Sequence, residues 1–232
     1  MGRLEGKVAV VTGAAQGFGY GIAERYAEEG AKVACLDIQS EAAKSAAAKI
    51  GRGAFGVGCD VAKAEDVASA FAKIEAALGP IDILVNNAGT SHRNKPIMEI
   101  TEEEFDRVFD VNVKSIFLTA RAVVPSMRAR GAGGVIINVG STAGIRPRPG
   151  LVWYNASKGA VNLGTKAMAI ELAADKIRVC AIAPVAGETP LLATFMGEDT
   201  PEKRAAFTAS VPLGRLSTPQ DMAEACLFLA EH

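Results

Sequence analysis

Six short, almost continuously apolar runs alternate with longer stretches in which apolar residues recur every three or four positions. Runs of the first kind indicate strands covered on both faces, and stretches of the second kind indicate amphipathic helices. The alternation predicts an α/β fold, in which one doubly wound parallel sheet carries helices on both faces, and a single domain over residues 1–232. The predicted strands are Lys7–Thr12, Lys32–Asp37, Ala54–Asp60, Ile81–Asn86, Gly134–Gly140 and Ile177–Pro184, and the predicted helices are Gly17–Glu29, Glu41–Ile50, Ala64–Leu78, Thr101–Arg130 and Trp153–Ala174.

The overall composition is that of an ordinary globular protein, with 49% apolar residues, 22% charged residues and a net charge of -1. This balance gives no electrostatic reason to expect nucleic acid or an anionic membrane as a partner. Residues Met1–Lys7 lack the apolar stretch of a signal peptide, and no run reaches the length of a membrane span. We therefore expect a cytoplasmic protein.

Cysteines and histidines offer little material for a metal site or a disulfide framework. Cys35, Cys59, Cys180 and Cys226 lie in apolar runs without the spacing of zinc ligands, which predicts buried, reduced thiols. Only two histidines are present, too few for a metal centre, and none is predicted. The first of them, His92, lies in a loop, where a polar surface position is favoured over a contact with substrate.

A tyrosine and a lysine lie one turn apart in the fifth predicted helix. Tyr154 and Lys158 therefore share a helix face. An ammonium beside a phenol lowers the tyrosine pKa from its usual value of ~10, and such a phenol can exchange a proton with a substrate oxygen near neutral pH. Ser141 follows the strand Gly134–Gly140, so we expect its hydroxyl to hold the same oxygen. The alternative is an amphipathic helix whose lysine reaches the solvent.

A glycine-rich turn, Thr12-Gly13-Ala14-Ala15-Gln16-Gly17-Phe18-Gly19, joins the first predicted strand to the first predicted helix. Glycines let the backbone approach a phosphate closely, and the helix N-terminus offers N–H groups to a pyrophosphate. Asp37 ends the second strand eighteen residues after Gly19, where a carboxylate can accept hydrogen bonds from an adenine-ribose 2′-hydroxyl. Asp37 would repel a 2′-phosphate, and Gln16 stands where an arginine could offset that repulsion, so the sequence favours NAD over NADP. A structural turn and a surface aspartate are the alternatives.

Together these motifs resemble those of the short-chain dehydrogenase/reductase family, and the resemblance covers nearly the whole chain. It implies a Rossmann-type fold and catalysis by Asn112, Ser141, Tyr154 and Lys158, in which Asn112 orders a water that relays protons. It also implies that Asn86-Asn87-Ala88-Gly89 supports the central sheet beside the cofactor. The residues implied to bind the cofactor are Gly13, Gln16, Gly17, Phe18, Gly19, Asp37, Ile38, Asp60, Val61, Asn87, Ala88, Gly89, Tyr154, Lys158, Pro184, Gly187 and Thr189.

Two departures from the family pattern bear on the structure. Val185 replaces the glycine that usually follows Pro184, which alters the backbone near the expected nicotinamide site. The chain ends at His232, inside or just after the helical run Gln220–Ala230, whereas family members normally continue with a seventh strand and a glycine-rich tail. We therefore expect six strands, with the sixth strand forming an edge of the sheet.

The sequence thus predicts an NAD(H)-dependent oxidoreductase (EC 1.1.1.-) that transfers a hydride between nicotinamide and a secondary alcohol or ketone, with Tyr154 as general acid/base. One alternative is an NADPH-dependent 3-oxoacyl-carrier-protein reductase, in which Arg128 and Arg130 form a carrier-protein patch. Two arginines at a helix C-terminus also suit the helix dipole. A nucleotide-binding protein without catalytic activity is the other alternative.

The small-molecule substrate is expected between three segments, Thr90–Lys95, Thr142–Trp153 and Leu191–Phe207, with a lid at residues 190–210. Arg146 and Arg148 could meet an anionic substrate, but a solvated loop with surface charges is favoured. The family resemblance also implies a homo-oligomer, a dimer or tetramer that pairs the fourth and fifth helices. The apolar side chains that suit this interface, or packing on the sheet instead, are Val108, Val111, Ile116 and Phe117.

Overall fold

The computed structural model describes residues 2–231, so the predicted chain end at His232 lies outside the described residues. All six predicted strands are present in one parallel sheet with the order β3-β2-β1-β4-β5-β6, which confirms the doubly wound architecture. The strands are β1 Val8–Thr12, β2 Lys32–Asp37, β3 Phe55–Gly58, β4 Ile83–Asn86, β5 Gly134–Val139 and β6 Ile177–Ile182.

Helices cover both faces of this sheet. They are α1 Gly17–Glu28, α2 Ser40–Ile50, α3 Ala64–Leu78, α4 Glu102–Phe109, α5 Ser115–Arg130, α6 Val152–Leu172, α7 Leu191–Met196, α8 Pro201–Ala209 and α9 Pro219–Glu231. Within the described residues, no helix is long and apolar enough to cross a membrane.

The predicted helical stretch Thr101–Arg130 is helical from Glu102 to Arg130, but it is not a uniform α-helix. A π-helical turn, Asp110–Lys114, separates α4 from α5. The widened turn directs Asn112 inward, where its amide bonds to Thr90 and Ser157. These three hydrogen bonds, to a loop and to a neighbouring helix, stabilise the π-helical turn. Hydrophobic periodicity alone does not predict such a turn.

Two apolar layers explain why the strands are nearly continuous in apolar residues. Ala9 and Val11 of β1 point into the layer that contains α1 and α9. Val8 and Val10 point to the opposite side, into the layer that contains α3 and α5. Successive side chains of a strand face opposite ways, so a sheet covered on both faces needs apolar residues at every position.

The strand order reverses between β1 and β4, and the chain leaves both strands at the same edge of the sheet. The glycine-rich turn follows β1, and Asn87 follows β4. Ligands of open α/β sheets bind in the crevice beyond the carboxyl ends of the strands at such a switch point. The fold therefore places both predicted cofactor motifs on one crevice.

The segment from β6 to α9 forms one edge of the sheet, covers part of one face with α9, and contains the short helices α7 and α8. Strand β6 pairs with β5 alone among the described residues and forms the expected edge. Helix α9 packs against α1 and lies over β5 and β6. The predicted lid at 190–210 contains α7 and α8, which share a small apolar cluster around Leu192 and Phe207.

Candidate active site

An open cleft of about 950 Å³ runs along the carboxyl edge of the sheet from Asp37 to Tyr154. Most of the sequence-predicted site residues line it. Gly19 and Asn112 are not in the lining and lie behind it. The lining residues from the predicted set are Gly13, Gln16, Gly17, Phe18, Asp37, Ile38, Asp60, Val61, Asn87, Ala88, Gly89, Ser141, Tyr154, Lys158, Pro184, Gly187 and Thr189.

The glycine-rich turn has the geometry of a phosphate cradle. Gly13 and Gly17 adopt left-handed backbone angles, with φ of 63° and 58°. A Cβ on Gly13 would lie 3.0 Å from the Cα of Ala88, and a Cβ on Gly19 would lie 2.2 Å from the Gly13 carbonyl oxygen. No side chain caps α1, so its first N–H groups remain available beside this turn. The turn therefore fits the pyrophosphate of a dinucleotide cofactor.

The turn is fixed to the end of β4 by the side chain of Asn87. Its Nδ2 donates to the carbonyl oxygens of Thr12 and Gly13 at 2.9 and 3.1 Å. The hydroxyl of Thr12 accepts in return from the backbone N–H groups of Asn87 and Ala88. These reciprocal bonds join the two strands at the switch point and hold the cradle open.

Two carboxylates stand at the opposite end of the cleft from Tyr154. The Asp37 carboxylate accepts hydrogen bonds from the N–H groups of Ala15 and Gln39, at 3.3 and 3.1 Å. Asp60 accepts from the N–H of Ala62 at 3.1 Å. Both carboxylates are half-buried and held by backbone donors, and the exposed Ile38 lies beside Asp37. Such a pair of fixed acceptors suits the hydroxyl groups and amine of an adenosine.

Ser141, Tyr154 and Lys158 come together at the inner end of the cleft. Ser141 lies just beyond β5, and the other two lie on adjacent turns of α6. All three are buried, with exposed fractions of 4%, 6% and 6%. The Lys158 Nζ donates to the carbonyl oxygen of Val139 at 2.7 Å. The same Nζ faces Gly89, where an added Cβ would lie 3.6 Å away.

Burial controls the proton affinities of this group. It raises the pKa of Tyr154 above its usual 10.0, while a hydrogen bond with Ser141 and the positive charge of Arg148 act in the opposite direction. Burial also lowers the pKa of Lys158 to about 8. The Nζ of Lys158 lies 6.0 Å from the tyrosine ring centroid. The expectation that Lys158 lowers the tyrosine pKa is therefore wrong for this structure, because the ammonium bonds to a backbone carbonyl instead.

Asn112 joins three elements behind the cleft. Its Oδ1 accepts from the N–H of Thr90 at 2.8 Å, and its Nδ2 donates to the Thr90 carbonyl and to the Ser157 hydroxyl, each at 2.9 Å. Ser157 in turn donates to the carbonyl of Tyr154. The π-helical turn thus links the loop after β4 to the helix that carries the tyrosine.

The lid and two loops enclose the side of the cleft next to Tyr154. The ring of Phe195, from α7, packs on the tyrosine ring with centroids 4.9 Å apart. Asn94 donates to the carbonyl oxygens of Pro149 and Phe195, each at 3.2 Å, and so ties the loop after Ser141 to the lid. All three segments predicted to line the substrate pocket meet here.

Several sequence-based expectations need correction. His92 is fully buried, not a surface residue, because its Nδ1 bonds to the Arg93 carbonyl inside the loop. Cys180 is only half-buried, because it lies on the edge strand β6. Trp153, at the end of one predicted pocket segment, packs edge-on against Phe105.

The sequence analysis missed one wall of the cleft, which is a face of α4 and the following π turn. The contributing residues lie at positions i, i+3, i+4 and i+7, so the helical spacing was visible although the charged side chains suggested a solvated face. These residues are Glu103, Asp106, Arg107 and Asp110, followed by Val111.

Comparison with known proteins agrees with this geometry. The family model described as short chain dehydrogenase matches residues 7–199. A 3-ketoacyl-(acyl-carrier-protein) reductase from Brucella melitensis, solved in complex with NADH, is similar at 48% identity and a TM-score of 0.92, over 98% of this chain and 91% of that chain. The 4-formylbenzenesulfonate dehydrogenase of Comamonas testosteroni is 46% identical over 98% of this chain and 91% of its own length.

A third relative, the galactitol 2-dehydrogenase of Agrobacterium fabrum, is 42% identical over 98% of this chain and 91% of its own length. The chain spans about nine-tenths of the length of each of these three proteins, and their names state different substrates. The matches confirm the family that the motifs indicated, and they confirm an oxidoreductase of alcohol or carbonyl groups that uses a nicotinamide cofactor. The chain belongs to the short-chain dehydrogenase family.

Proposed function

We propose that the chain is an NAD(H)-dependent oxidoreductase (EC 1.1.1.-) that interconverts a secondary alcohol and a ketone, with Tyr154 as general acid/base. The observation that carries the proposal is the buried group of Ser141, Tyr154 and Lys158 at the inner end of the cleft. A phenol and a serine hydroxyl that face one cavity can both contact a single substrate oxygen. A bound nicotinamide would accept or supply the hydride at the adjacent carbon.

Each side chain has a distinct role in this proposal. Tyr154 takes the hydroxyl proton in oxidation and returns it in reduction. Ser141 hydrogen-bonds to the substrate oxygen and to the phenol, which orients both. Lys158, whose Nζ faces Gly89, is placed to hold the ribose hydroxyls of the cofactor, and Asn112 fixes the backbone around it. A water ordered beside Asn112 would connect Lys158 to the solvent.

We infer a preference for NAD from the carboxylate of Asp37. Two backbone donors hold it in the cleft, where it can accept hydrogen bonds from a ribose 2′-hydroxyl and would repel a 2′-phosphate. Two unit charges about 4 Å apart interact by ~1 to 4 kcal/mol, depending on the effective dielectric constant. The NADH in the solved relative is in keeping with this preference.

The second candidate is a 3-oxoacyl-carrier-protein reductase, because the same relative is a 3-ketoacyl-(acyl-carrier-protein) reductase. The proposed carrier-protein patch has less support, because both of its arginines are engaged. Arg128 pairs with Asp175 at 2.7 Å, and Arg130 pairs with Asp82 at 2.9 Å. A small alcohol or ketone therefore remains the preferred substrate class.

We also propose a homo-oligomer, a dimer or tetramer, in the cytoplasm. Phe117 of α5 and the α6 residues Leu163 and Ile170 are apolar and exposed, by 56%, 69% and 81%. Exposed apolar side chains on these two helices suit a subunit interface. Four free cysteines suit a reducing compartment. Light scattering of the purified chain tests the assembly, and a monomer at micromolar concentration would contradict it.

The first experiment follows nicotinamide absorbance while the protein is incubated with NAD or NADP and a panel of secondary alcohols, polyols and hydroxyacyl thioesters. We expect turnover with NAD and an alcohol. Tyr154→Phe preserves the buried ring and should lose about 10²- to 10⁴-fold in kcat while binding NADH normally. Full activity in that variant would contradict the proton-transfer role.

A second variant tests the cofactor preference. Asp37→Asn removes the charge but keeps the size of the side chain. We expect the ratio of kcat/KM for NAD over NADP to fall by about 5- to 1,000-fold, the range that corresponds to the repulsion above. Turnover of hydroxyacyl thioesters with NADP alone in the unmodified protein would instead favour the second candidate.

A further inference from the structure

Hydrogen bonds tie the loop that follows Ser141 to α6 and to the 90–95 segment. The side chain of Asn155 accepts a hydrogen bond from the N–H of Arg148 at 3.3 Å and donates to its carbonyl at 2.8 Å. The loop is also tied to the 90–95 segment, because the N–H of Lys95 donates to the Gly150 carbonyl at 3.1 Å. Asn155 directly follows Tyr154, so the backbone of Arg148 is fixed against the helix that carries the acid/base group.

The guanidinium of Arg148 lies between this helix and the lid. Its Cζ is 4.5 Å from the ring centroid of Phe207, on α8. Its positive charge acts on the phenol of Tyr154 and lowers the tyrosine pKa. Arg148 is half-buried, and no carboxylate of the described residues pairs with it. A cation without an anionic partner is thus held against the lid, near enough to Tyr154 for its charge to act on the phenol.

Two acidic side chains between α7 and α8 form ion pairs within the lid. Glu198 pairs with Lys203 at 3.0 Å, and Asp199 pairs with Arg204. Across the cleft, Glu104 pairs with Lys95 at 2.7 Å. Arg148 forms no such ion pair among the described residues. It can therefore complement a negative group of a ligand beside the lid, whereas Glu103 and Asp106 place carboxylates on the α4 wall of the cleft.

We propose that Arg148 is a substrate-binding residue and that the substrate is a secondary alcohol or ketone that carries a carboxylate or sulfonate group. This rests on the proposed function of the same site. A planar guanidinium can donate two parallel hydrogen bonds to either oxyanion. The aromatic ring of Phe207 covers one face of the guanidinium, and its N–H edges remain free to bind the anion. The substrate would thereby be held at two points, by Arg148 at its anionic end and by Tyr154 at its reacting oxygen.

Matched substrate pairs test the proposal. We would measure kcat/KM with NAD for 4-(1-hydroxyethyl)benzoate and 4-(1-hydroxyethyl)benzenesulfonate against 1-phenylethanol, and for 4-hydroxypentanoate against 2-pentanol. At least one anionic compound should exceed its neutral partner tenfold or more. In Arg148→Gln that ratio should fall at least tenfold, the loss expected when one hydrogen bond to a charged group is removed.

Arg146 supplies the control. It has the same charge, lies two residues away in the same loop and is exposed. Arg146→Gln should retain the ratio of anionic to neutral substrate, whereas a general positive potential of the loop would make the two variants alike. Equal losses in both variants, or an unchanged ratio in Arg148→Gln, would overturn the assignment to Arg148.

A binding measurement separates this proposal from the proposed function. Calorimetry of 4-acetylbenzoate and of acetophenone with the protein and NAD should show at least tenfold tighter binding of the carboxylate, lost in Arg148→Gln. If this binding is seen but no alcohol turns over, the anion site stands and the proposed function fails. If alcohols turn over without preference for the anionic members, and the carboxylate does not bind more tightly, the anion site is refuted and the proposed function stands.

Discussion

A chain of buried side-chain hydrogen bonds crosses the sheet beside the cleft and allows a quantitative prediction. The hydroxyl of Thr119 on α5 donates to Asn86 Oδ1 at 2.8 Å, and Asn86 Nδ2 donates to Asn138 Oδ1 at 2.9 Å. Asn138 Nδ2 then donates to the hydroxyl of Thr165 on α6 at 2.9 Å. Asn86 and Asn138 are register partners on β4 and β5. This series of hydrogen bonds thus joins β4 and β5 to the helices α5 and α6.

The substitution Asn138→Ala breaks this chain at a fully buried position. It removes two hydrogen bonds and leaves the Nδ2 of Asn86, which is 5% exposed, without its acceptor. An unsatisfied buried donor costs about 1–3 kcal/mol, and the lost packing adds roughly 1 kcal/mol. Thr165 keeps its bond to the Val161 carbonyl and adds little. We expect the free energy of unfolding to fall by about 2–4 kcal/mol, a large part of the stability of a typical domain.

Urea unfolding at fixed protein concentration measures this loss. The double variant Asn86→Ala/Asn138→Ala serves as the internal test, because it removes the donor that the single variant leaves unsatisfied. We expect the double variant to cost less than the sum of the two single variants. A loss below about 0.5 kcal/mol in Asn138→Ala, or strict additivity in the double variant, would refute the argument that an unpaired buried amide causes the instability.

Three further outcomes follow from the site. Burial lowers the pKa of Lys158 from 10.5 to about 8, so the unfolded protein keeps this proton to a higher pH than the folded protein does. Without cofactor, the unfolding free energy of the unmodified protein relative to that of Lys158→Met should therefore rise between pH 8 and 10.5. A difference between the two proteins that does not change with pH would contradict this. Gly19→Ala should weaken NADH binding, measured by fluorescence, at least tenfold, because the new Cβ would lie 2.2 Å from the Gly13 carbonyl oxygen. Gly164→Ala, whose Cβ meets nothing within 4 Å, should leave NADH binding unchanged. Asn94→Ala should speed proteolysis within 191–210, since it removes the two side-chain bonds by which Asn94 bridges Pro149 in the loop and Phe195 in the lid. Equal cleavage rates would show that the lid does not depend on them.

The apolar pattern predicted the strands well because every strand is covered on both faces. The bounds of β2 and of α3 match the predictions at every residue. The errors occur where buried residues leave the sheet. Cys59 and Val61 are buried, yet they lie beyond the end of β3 in the loop that lines the cleft. Hydrophobicity reports burial, and it cannot distinguish a strand from a buried loop at its end.

The positions of the site residues followed from motif spacing, but their contacts did not. The stacking of Arg148 on Phe207 joins residues that lie fifty-nine positions apart in the sequence. The amide of Asn94 joins two segments that the sequence could only place in the same region. Such contacts depend on how α7 and α8 pack against the loop, which no local pattern encodes. The contact of Arg148 with Phe207 could therefore not be predicted from the sequence.

The proton affinities of the site residues are the property that motif spacing predicts least well. Burial acts on Tyr154 and Lys158 in the same sense and favours the neutral form of each, so at neutral pH the phenol keeps its proton and is placed to donate it, as reduction of a ketone requires. Oxidation requires that the phenol first lose that proton, which the hydrogen bond with Ser141 and the charge of Arg148 both favour. An anion bound to Arg148 would cancel part of that charge. The arginine that selects an anionic substrate would therefore also couple the charge of the substrate to the proton affinity of the acid/base group.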